Sequence, residues 1–265
     1  MFQINGLSKD ELDIENLNKI VKTPFTAGCL HVGIHRVSQE LIGTFGGEGQ
    51  FQIIIVDPQS KRFGEVLLKK VMPLKKTPTF GKSTFFDDKI ELISNIIFDE
   101  TCGIIVTFFR GFFKLYEPIN FKQIWHHETV DPVHKEDQFM TIVAAGFSKK
   151  FSYLAIGGVE GRIIMYDIVS QMMIADNNKI HTGEIIKIYF YDNQSQLISC
   201  ARDRQICLWN SQNFELLQSI RDLNYYPNFV NEMAFCEDLN VLMACTFKIK
   251  NYKIRKNEKI QIHNL

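Results

Sequence analysis

Short runs of apolar and β-branched residues, separated by clusters of turn-forming residues, recur along most of this chain. The clearest case is residues 181–210, where the runs IIKIYFY, QLISCA and QICLW follow one another. Residues 192–195 (DNQS) separate the first two runs, and residues 202–204 (RDR) separate the last two. Runs this short, bounded by such turns, favour strands over helices. The pattern therefore predicts an antiparallel three-stranded meander.

Weaker copies of this outline occupy most of the remaining chain. Their third runs end near Asp57, Glu117, Asp167, Asn210 and Asn264. After residue 210 the runs are FELLQSI, NEMAFC, VLMACTF and KIQIHNL, and the basic residues 248–259 are predicted to form an expanded hairpin before the last run. A four-stranded sheet has two apolar faces that it cannot cover alone, so the units must stack and bury one sheet against the next. The sequence thus predicts an all-β chain of five repeated sheets.

Residues 181–210 resemble the repeat of the WD-repeat β-propeller family, which spans roughly 40 to 45 residues with a Gly-His near its start and a Trp-Asp near its end. His181 stands at the position of the histidine, and Trp209-Asn210 stands at that of the Trp-Asp. The resemblance is clearest over residues 138–210 and weaker over residues 29–265. It implies a β-propeller of four-stranded antiparallel blades, with five recognisable WD-like blades.

The resemblance also implies a hydrogen-bonded chain within the fourth unit. The carry-over assigns this chain to His181, Ser199, Asp203 and Trp209. Each polar group needs a partner there, because a buried donor without one costs about 1 to 3 kcal/mol. In the third unit, isoleucine (residue 156) takes the place of the serine, so packing is expected to hold that blade instead.

Serine, histidine and aspartate are also the members of a hydrolase triad. However, Ser199 lies inside a strand run without the glycines of a nucleophile elbow, and a triad leaves Trp209 unexplained. We therefore interpret the four residues as structural, and we expect no enzymatic activity and no cofactor.

Three other patterns resemble ligand sites in part. The glycines of residues 43–49 do not match a dinucleotide fingerprint, and residues 81–83 (GKS) lack the first glycine of a P-loop. His126 and His127 are neighbours on a predicted strand, where alternation sends them to opposite faces. No carboxylate or cysteine completes a ligand set at suitable spacing, so no metal site is predicted.

Residues 1–28 differ from the rest and are predicted to form an N-terminal helix or tail, with residues 29–265 as the propeller domain. Ser8 and Glu11 form a capping box ahead of an apolar stripe at helical spacing. Residues 19–25 (KIVKTPF) also fit a strand, and they are the candidate for an outer strand that the fifth unit lacks. With that strand, five blades close into a ring. The alternatives are an open part of a larger ring and an incomplete gene product.

The composition fits a single cytoplasmic domain. Of the 265 residues, 45% are hydrophobic, and the 30 Lys and Arg balance the 30 Asp and Glu. With a net charge of zero, the chain has no overall electrostatic attraction for nucleic acid, so no nucleic-acid partner is expected. The six cysteines have no paired short spacing and are interpreted as reduced core residues. No leader pattern and no apolar run of about 18 residues is present.

Propellers of the family that this chain resembles act mostly as non-catalytic scaffolds that present rim loops to other proteins. The resemblance therefore implies a protein–protein interaction scaffold within a multiprotein complex. Candidate contacts are the charged residues beside the turns between second and third strands, all of which are expected to be exposed. They are Arg110, Glu160, Arg162, Arg202 and Arg204.

The alternative function is binding to phosphoinositides or another anionic membrane surface through basic loops. The main candidate contacts are Lys248, Lys250, Lys253, Arg255, Lys256 and Lys259. Further candidates are Lys69, Lys70, Lys75 and Lys76. A membrane partner is expected only under this alternative.

Overall fold

The computed structural model describes residues 27–35, 37–47, 49–71, 92–129, 140–221, 232–236, 241–245, 249–253 and 261–263. Within these ranges, strands joined by turns make up the fold, together with one short 3-10 turn at Asp192–Gln194. The predicted N-terminal helix and the predicted strand at residues 19–25 lie outside the described residues. The first described strand begins at Ala27.

The strands form five sheets of four strands, each antiparallel and each built from consecutive strands. Sheet 1 contains β1 (Ala27–Ile34), β2 (Leu41–Gly47), β3 (Gln50–Ile55) and β4 (Val66–Val71). Sheet 2 contains β5 (Ile93–Asp99), β6 (Gly103–Phe108), β7 (Phe112–Tyr116) and β8 (Gln123–Glu128). Sheet 3 contains β9 (Ile142–Ser148), β10 (Tyr153–Gly158), β11 (Ile163–Asp167) and β12 (Met172–Asn177).

Sheet 4 contains β13 (Ile185–Tyr191), β14 (Gln196–Ala201), β15 (Ile206–Asn210) and β16 (Leu216–Ile220). Sheet 5 contains β17 (Glu232–Cys236), β18 (Val241–Cys245), β19 (Ile249–Lys253) and β20 (Gln261–His263). The all-β class and the five four-stranded antiparallel sheets that the sequence predicts are confirmed.

The fifth sheet differs from its sequence prediction in the identity of two strands. The basic segment expected to be a hairpin contains the third strand, β19, and the run expected to be the third strand is the fourth, β20. Ile249 and Tyr252 are residue types that favour strands, and the flanking lysines do not prevent pairing. The fifth sheet is therefore complete without a strand from residues 19–25.

Successive sheets pack face to face, and the core lies between them. The first strands contact one another in order, β1 with β5, β5 with β9, β9 with β13 and β13 with β17. Four buried apolar clusters join sheet 1 to sheet 2, sheet 2 to sheet 3, sheet 3 to sheet 4 and sheet 4 to sheet 5. Among the described residues, no such cluster joins sheet 5 to sheet 1. Each sheet thus gains its burial from its neighbours, as expected for repeated sheets that are apolar on both faces.

Candidate functional site

Four polar side chains of sheet 4 meet at one corner of the sheet. His181 precedes β13, Ser199 lies in β14, Asp203 lies in the turn to β15, and Trp209 lies in β15. His181 Nδ1 is 3.1 Å from Asp203 Oδ2, and its Nε2 is 2.8 Å from Ser199 Oγ. The Trp209 indole N–H donates to the same Ser199 Oγ at 2.8 Å. The structure therefore brings together all four residues that the sequence singles out.

The direction of each hydrogen bond follows from the donors and acceptors available. The Trp209 indole nitrogen can only donate, so Ser199 Oγ accepts this bond. The Ser199 hydroxyl then donates to His181 Nε2, which leaves Nδ1–H to donate to Asp203. A neutral imidazole satisfies the whole chain in this assignment, and every polar atom in it has a partner.

Asp203 also fixes the backbone on both sides of the corner. Its Oδ2 accepts the Thr182 N–H at 2.9 Å, and its Oδ1 accepts the Gln205 N–H at 2.9 Å. Burial on its own would raise the pKa of Asp203, but the hydrogen bonds from His181, Thr182 and Gln205 together lower that pKa below its ordinary value. Asp203 is thus a carboxylate that joins the segment before β13 to the turn after β14.

The distances resemble those of a hydrolase triad, but the burial does not suit catalysis. Ser199 has 0% of its surface exposed, and His181 and Trp209 are also buried. A nucleophile must reach a substrate carbonyl, and Ser199 Oγ lies between the imidazole and the indole instead. What the arrangement does chemically is cross-link β14, β15, the segment before β13 and the turn after β14 by hydrogen bonds.

The corresponding corner of sheet 3 has a different chemistry. Ile156 at the serine position is fully buried and packs in the core between sheets 2 and 3, and Glu160 is exposed in the turn. Arg162 is not exposed, contrary to the sequence prediction: only 8% of its surface is accessible. Its guanidinium holds Asp176 with two hydrogen bonds, from Nε at 2.9 Å and from Nη2 at 2.7 Å.

Sequence reasoning missed this Arg162–Asp176 pair, although a signal for it existed. Asp176 pairs with Ile164 across β11 and β12, so the Arg162 side chain reaches Asp176 diagonally across the two strands. The sequence shows the two opposite charges, but it does not show the strand register that brings them together. Its burial removes Arg162 from the residues that could contact a partner.

The other arginine candidates lie at the surface or near it. Arg110 is exposed in the turn between β6 and β7. Arg202 is exposed, and its Nε lies 2.5 Å from Glu184 Oε2. Arg204 is half-buried and has a φ of 69°, in the left-handed region.

The backbone at Arg204 repeats a shape that glycines adopt in the other sheets. The turns between second and third strands of sheets 1, 2 and 3 contain Gly49, Gly111 and Gly161, with φ of 64°, 81° and 83°. A side chain in this region is strained, which is why glycine is the usual residue there. Sheet 4 alone among these four described sheets places an arginine at this position.

Two contacts join sheet 4 to sheet 3, one at the corner and one at the opposite end of the sheets. A Cβ added to Gly161 would lie 2.5 Å from the carbonyl oxygen of His181, so only a glycine fits between the two sheets there. At the opposite end of the sheets, Asp192 accepts hydrogen bonds from the Ser148 hydroxyl and from the backbone N–H of Lys150. The hydrogen-bonded chain is therefore held from outside as well as from within sheet 4.

The adjacent histidines of β8 have separate surroundings. His126 Nε2 is 3.4 Å from Glu128 Oε1, whereas His127 packs against Tyr166 with ring centroids 4.9 Å apart. Burial lowers the pKa of His127, and the neighbouring His126 lowers it further. No group of three or more residues able to hold a metal ion occurs in the described part of the chain.

Few of the candidate lipid contacts have a described environment. Lys69 is exposed and Lys70 half-buried on β4, while Lys250 and Lys253 lie on β19 as backbone positions. The remaining candidates, Lys75, Lys76, Lys248, Arg255, Lys256 and Lys259, lie outside the described residues. Within the described ranges, no helix has the length and apolar character that a membrane crossing requires.

The stacked sheets define the fold class as the blade-type β-propeller, and comparisons with known proteins agree with it. A computationally designed protein, Ika8, has a crystal structure that superimposes with a TM-score of 0.59 at 16% identity. The match covers 86% of this chain and 58% of the designed protein, and at this identity it shows the fold alone.

Sequence similarity to known proteins is limited. A segment of the chain is 24% identical over 84 residues to Actin-interacting protein 1 from Drosophila melanogaster. This match covers 31% of the chain and 14% of the length of that relative. No family model matches the chain.

Proposed function

We propose that this chain is a non-catalytic protein-interaction scaffold of the WD-repeat type, which presents the corner turns of its sheets to partner proteins. The observation that carries the proposal is the corner of sheet 4. Its triad-like residues are buried and satisfied by one another, while Arg202 beside them is exposed. The polar residues of the corner thus form two sets. The inner set, His181, Ser199, Asp203 and Trp209, stabilises the sheet, and the outer set, Arg202 and Arg204, lies at or near the surface.

The outer set suits acidic segments of a partner. A guanidinium makes paired, charge-assisted hydrogen bonds to a carboxylate, and arginine is enriched among residues that dominate interface energies. Arg202 is already paired with Glu184 at the surface. Exposed pairs of this kind contribute little to stability, about 0 to 1 kcal/mol, so exchange for a partner's carboxylate is cheap.

The backbone at Arg204 supports the same assignment. Six other described non-glycine residues also have a positive φ, so the comparison that bears on Arg204 is with the matching turns of the other sheets. Arg204 occupies a left-handed position that glycine fills in sheets 1 to 3. In the proposal, Arg204 and Arg202 together form the partner-binding corner of sheet 4. Arg110 and Glu160 are the candidate partner contacts in the equivalent turns of sheets 2 and 3.

A cytoplasmic location is part of the proposal. The four cysteines with described side chains, at positions 102, 200, 207 and 236, are free thiols. Burial raises the pKa of Cys207 to about 12, so this thiol is unreactive. Free thiols persist in the reducing cytosol, which is the observation that supports this location.

Actin is the first partner to test, because the similar Drosophila protein is named for interaction with actin. The purified chain would be sedimented with filamentous actin at increasing concentration. Recovery in the pellet above the actin-free control would support an actin-binding scaffold. Absence of co-sedimentation would remove actin and leave the wider proposal to the next experiment.

The wider proposal is tested by affinity capture with a matched pair of variants. Arg202→Glu combined with Arg204→Glu reverses the charge of the sheet 4 corner. Arg62→Glu is the control, since Arg62 is also exposed and paired with a glutamate, Glu65, but lies in the turn between β3 and β4 of sheet 1. We expect the corner variant to lose specific partners by at least tenfold in quantitative mass spectrometry, with the control unchanged. Identical recovery for both variants and the parent would contradict the proposed binding corner.

A further inference from the structure

The methionines of this chain differ widely in exposure. Among those that the structure describes, Met165 and Met233 are each 1% exposed and belong to the core. Met172 and Met173 are 62% and 54% exposed, and Met243 on β18 is 40% exposed. Met172 and Met173 follow one another on β12. Two thioether side chains in succession are therefore open to solvent.

The position of β12 in sheet 3 explains why both methionines are exposed. β12 stands at the end of the strand order, next to β11. Met172 pairs with Asp167 and Met173 pairs with Tyr166, and alternation sends the two side chains to opposite faces of the sheet. Their exposed fractions show that both faces of β12 are accessible at this point. A small reagent in solution can therefore reach the pair from either face.

Met165 is a buried counterpart of the pair within the same hairpin. It lies on β11 opposite Ala175 of β12, and it packs in the core between sheets 3 and 4. The three methionines of the hairpin carry the same chemical group and differ in exposure. A difference in their rates of reaction with a soluble reagent therefore measures exposure.

Cysteine thiols, the usual targets of an oxidant, are less reactive than normal at three described positions. Cys200 and Cys207 are 0% exposed. Burial raises the pKa of Cys207 to about 12, and it also raises the pKa of Cys102. The thiolate is the form of cysteine that reacts, and a raised pKa makes the thiolate scarce at neutral pH. These cysteines therefore do not compete strongly with the exposed thioethers.

We propose that Met172 and Met173 form a reversible oxidation site of the folded chain, with hydrogen peroxide as the oxidant. The thioether sulfur attacks one oxygen of the peroxide, so that an S–O bond forms and the O–O bond breaks. The other oxygen leaves as water after proton transfer. The sulfur is oxidised to methionine sulfoxide and the peroxide is reduced. Methionine sulfoxide reductases, which draw electrons from thiols, convert the product back to methionine.

Oxidation at this site changes a surface and leaves the core intact. Val169, Ile174 and the two methionines form an exposed apolar segment at the outer edge of sheet 3. Because a sulfoxide is polar, oxidation makes the middle of this segment polar. The buried thioether of Met165 is protected by its packing. The oxidised chain is therefore expected to keep the fold and the stability of the parent.

Peptide mapping after graded peroxide treatment tests the site within one fragment. Trypsin cleaves after Arg162 and Lys179, so a single peptide, residues 163–179, contains Met165, Met172 and Met173. In the native protein we expect sulfoxide to form at the pair about tenfold faster than at Met165, because oxidation follows exposure. In concentrated urea the three rates should become equal. Equal rates in the native protein would overturn the proposal.

Two further measurements test reversibility and the restriction to the surface. Treatment with the reductases for both sulfoxide epimers and a thiol should restore the original mass of the peptide, and persistent sulfoxide would overturn reversibility. Urea denaturation of the oxidised parent should give the midpoint of the untreated parent. The control, Met172→Leu combined with Met173→Leu, receives the same peroxide treatment. A midpoint shift that occurs in the parent and not in this control would contradict a surface site. These readouts are independent of the sheet 4 corner, so their failure leaves the proposed function intact.

Discussion

His181 and Trp209 both form hydrogen bonds with the hydroxyl of Ser199. Replacing either residue removes one hydrogen-bond partner of that hydroxyl. We expect His181→Ala and Trp209→Phe each to lower the free energy of unfolding by about 1 to 3 kcal/mol, since each leaves a buried polar atom unpaired. Urea denaturation followed by circular dichroism measures the change. His126→Ala, on the surface of β8, is the control and should shift stability by less than about 0.5 kcal/mol.

If both buried variants unfolded at the same urea concentration as the parent, the hydrogen-bonded chain would not be a stabilising element. A loss in His181→Ala alone would locate the stabilisation in the contacts with Asp203 and Ser199. A loss in Trp209→Phe alone would locate it in the indole N–H, because phenylalanine keeps most of the packing.

Asp203 connects the stability of this corner to pH. Its pKa is lower in the folded chain than the ordinary value, so the unfolded chain binds a proton more readily than the folded chain. The carboxylate therefore contributes its full stabilisation above about pH 4, and loses it as pH falls through the folded-state pKa. We expect the melting temperature of the parent to fall over this acidic range and that of Asp203→Asn to fall less steeply. An identical slope for the two proteins below about pH 4 would contradict this role.

Arg204 allows the backbone and the side chain to be separated experimentally. With φ at 69°, any side chain at this position carries steric strain that glycine avoids. We expect Arg204→Gly to be more stable than Arg204→Ala by about 1 kcal/mol, because both remove the guanidinium and only alanine keeps the strain. Thermal and urea unfolding of both variants give the difference. Equal stabilities would show that the turn relaxes around a Cβ, which would remove strain as an argument for function.

At the scale of the elements, Gly161 fixes how the turn of sheet 3 meets the start of sheet 4. Gly161 and Gly64 have almost the same φ, 83° and 84°, but a Cβ at Gly64 would meet nothing within 4 Å. We expect Gly64→Ala to cost about 1 kcal/mol for its backbone alone. Gly161→Ala should cost at least about 1 kcal/mol more, because its Cβ collides with the His181 carbonyl.

The two alanine variants would be compared by urea denaturation under identical conditions. Equal losses would mean that the two sheets can separate at this turn without penalty. A larger loss for Gly64→Ala would contradict the close packing of Gly161 against His181.

The strands of sheet 4 were predictable because alternation and turn chemistry agree along residues 185–210. The β-bulges in the outer strands were not predictable from the sequence. In the fourth strand of each of sheets 1 to 4, one extra residue stands opposite the third strand, and these residues are Leu67, Ile124, Ile174 and Leu217. One inserted residue reverses the alternation that sequence reasoning depends on. The same bulge bends the outer strand, which discourages pairing with the edge of another protein.

The candidate site was also predictable only in part. The part of the prediction that was wrong depended, like the bulges, on strand register. His181, Ser199, Asp203 and Trp209 could be placed together because a repeat pattern relates them. Arg162 could not be placed, because its partner Asp176 lies on another strand and is related to it only by register. Whether a charged side chain beside a turn is exposed or buried depends on the residue that faces it from the next strand. The sequence shows the charge but does not show which residue that is.

At the scale of the whole molecule, the stability of each sheet depends on the sheets that pack against its two faces. Sheets 2, 3 and 4 are covered on both faces by apolar clusters, whereas sheet 1 has one described neighbour. In such arrays each unit depends on its own stability and on the contacts at its two faces. The opening free energy should therefore differ between sheets although their strand pairing is alike.

Hydrogen exchange in dilute protein measures this difference directly. Amides of β1 should exchange faster than those of β9 and β13, the matching first strands, because Leu30, Val32 and Ile34 on β1 are exposed whereas β9 and β13 have no exposed residue. Exchange in β1 as slow as in β13 would contradict this expectation.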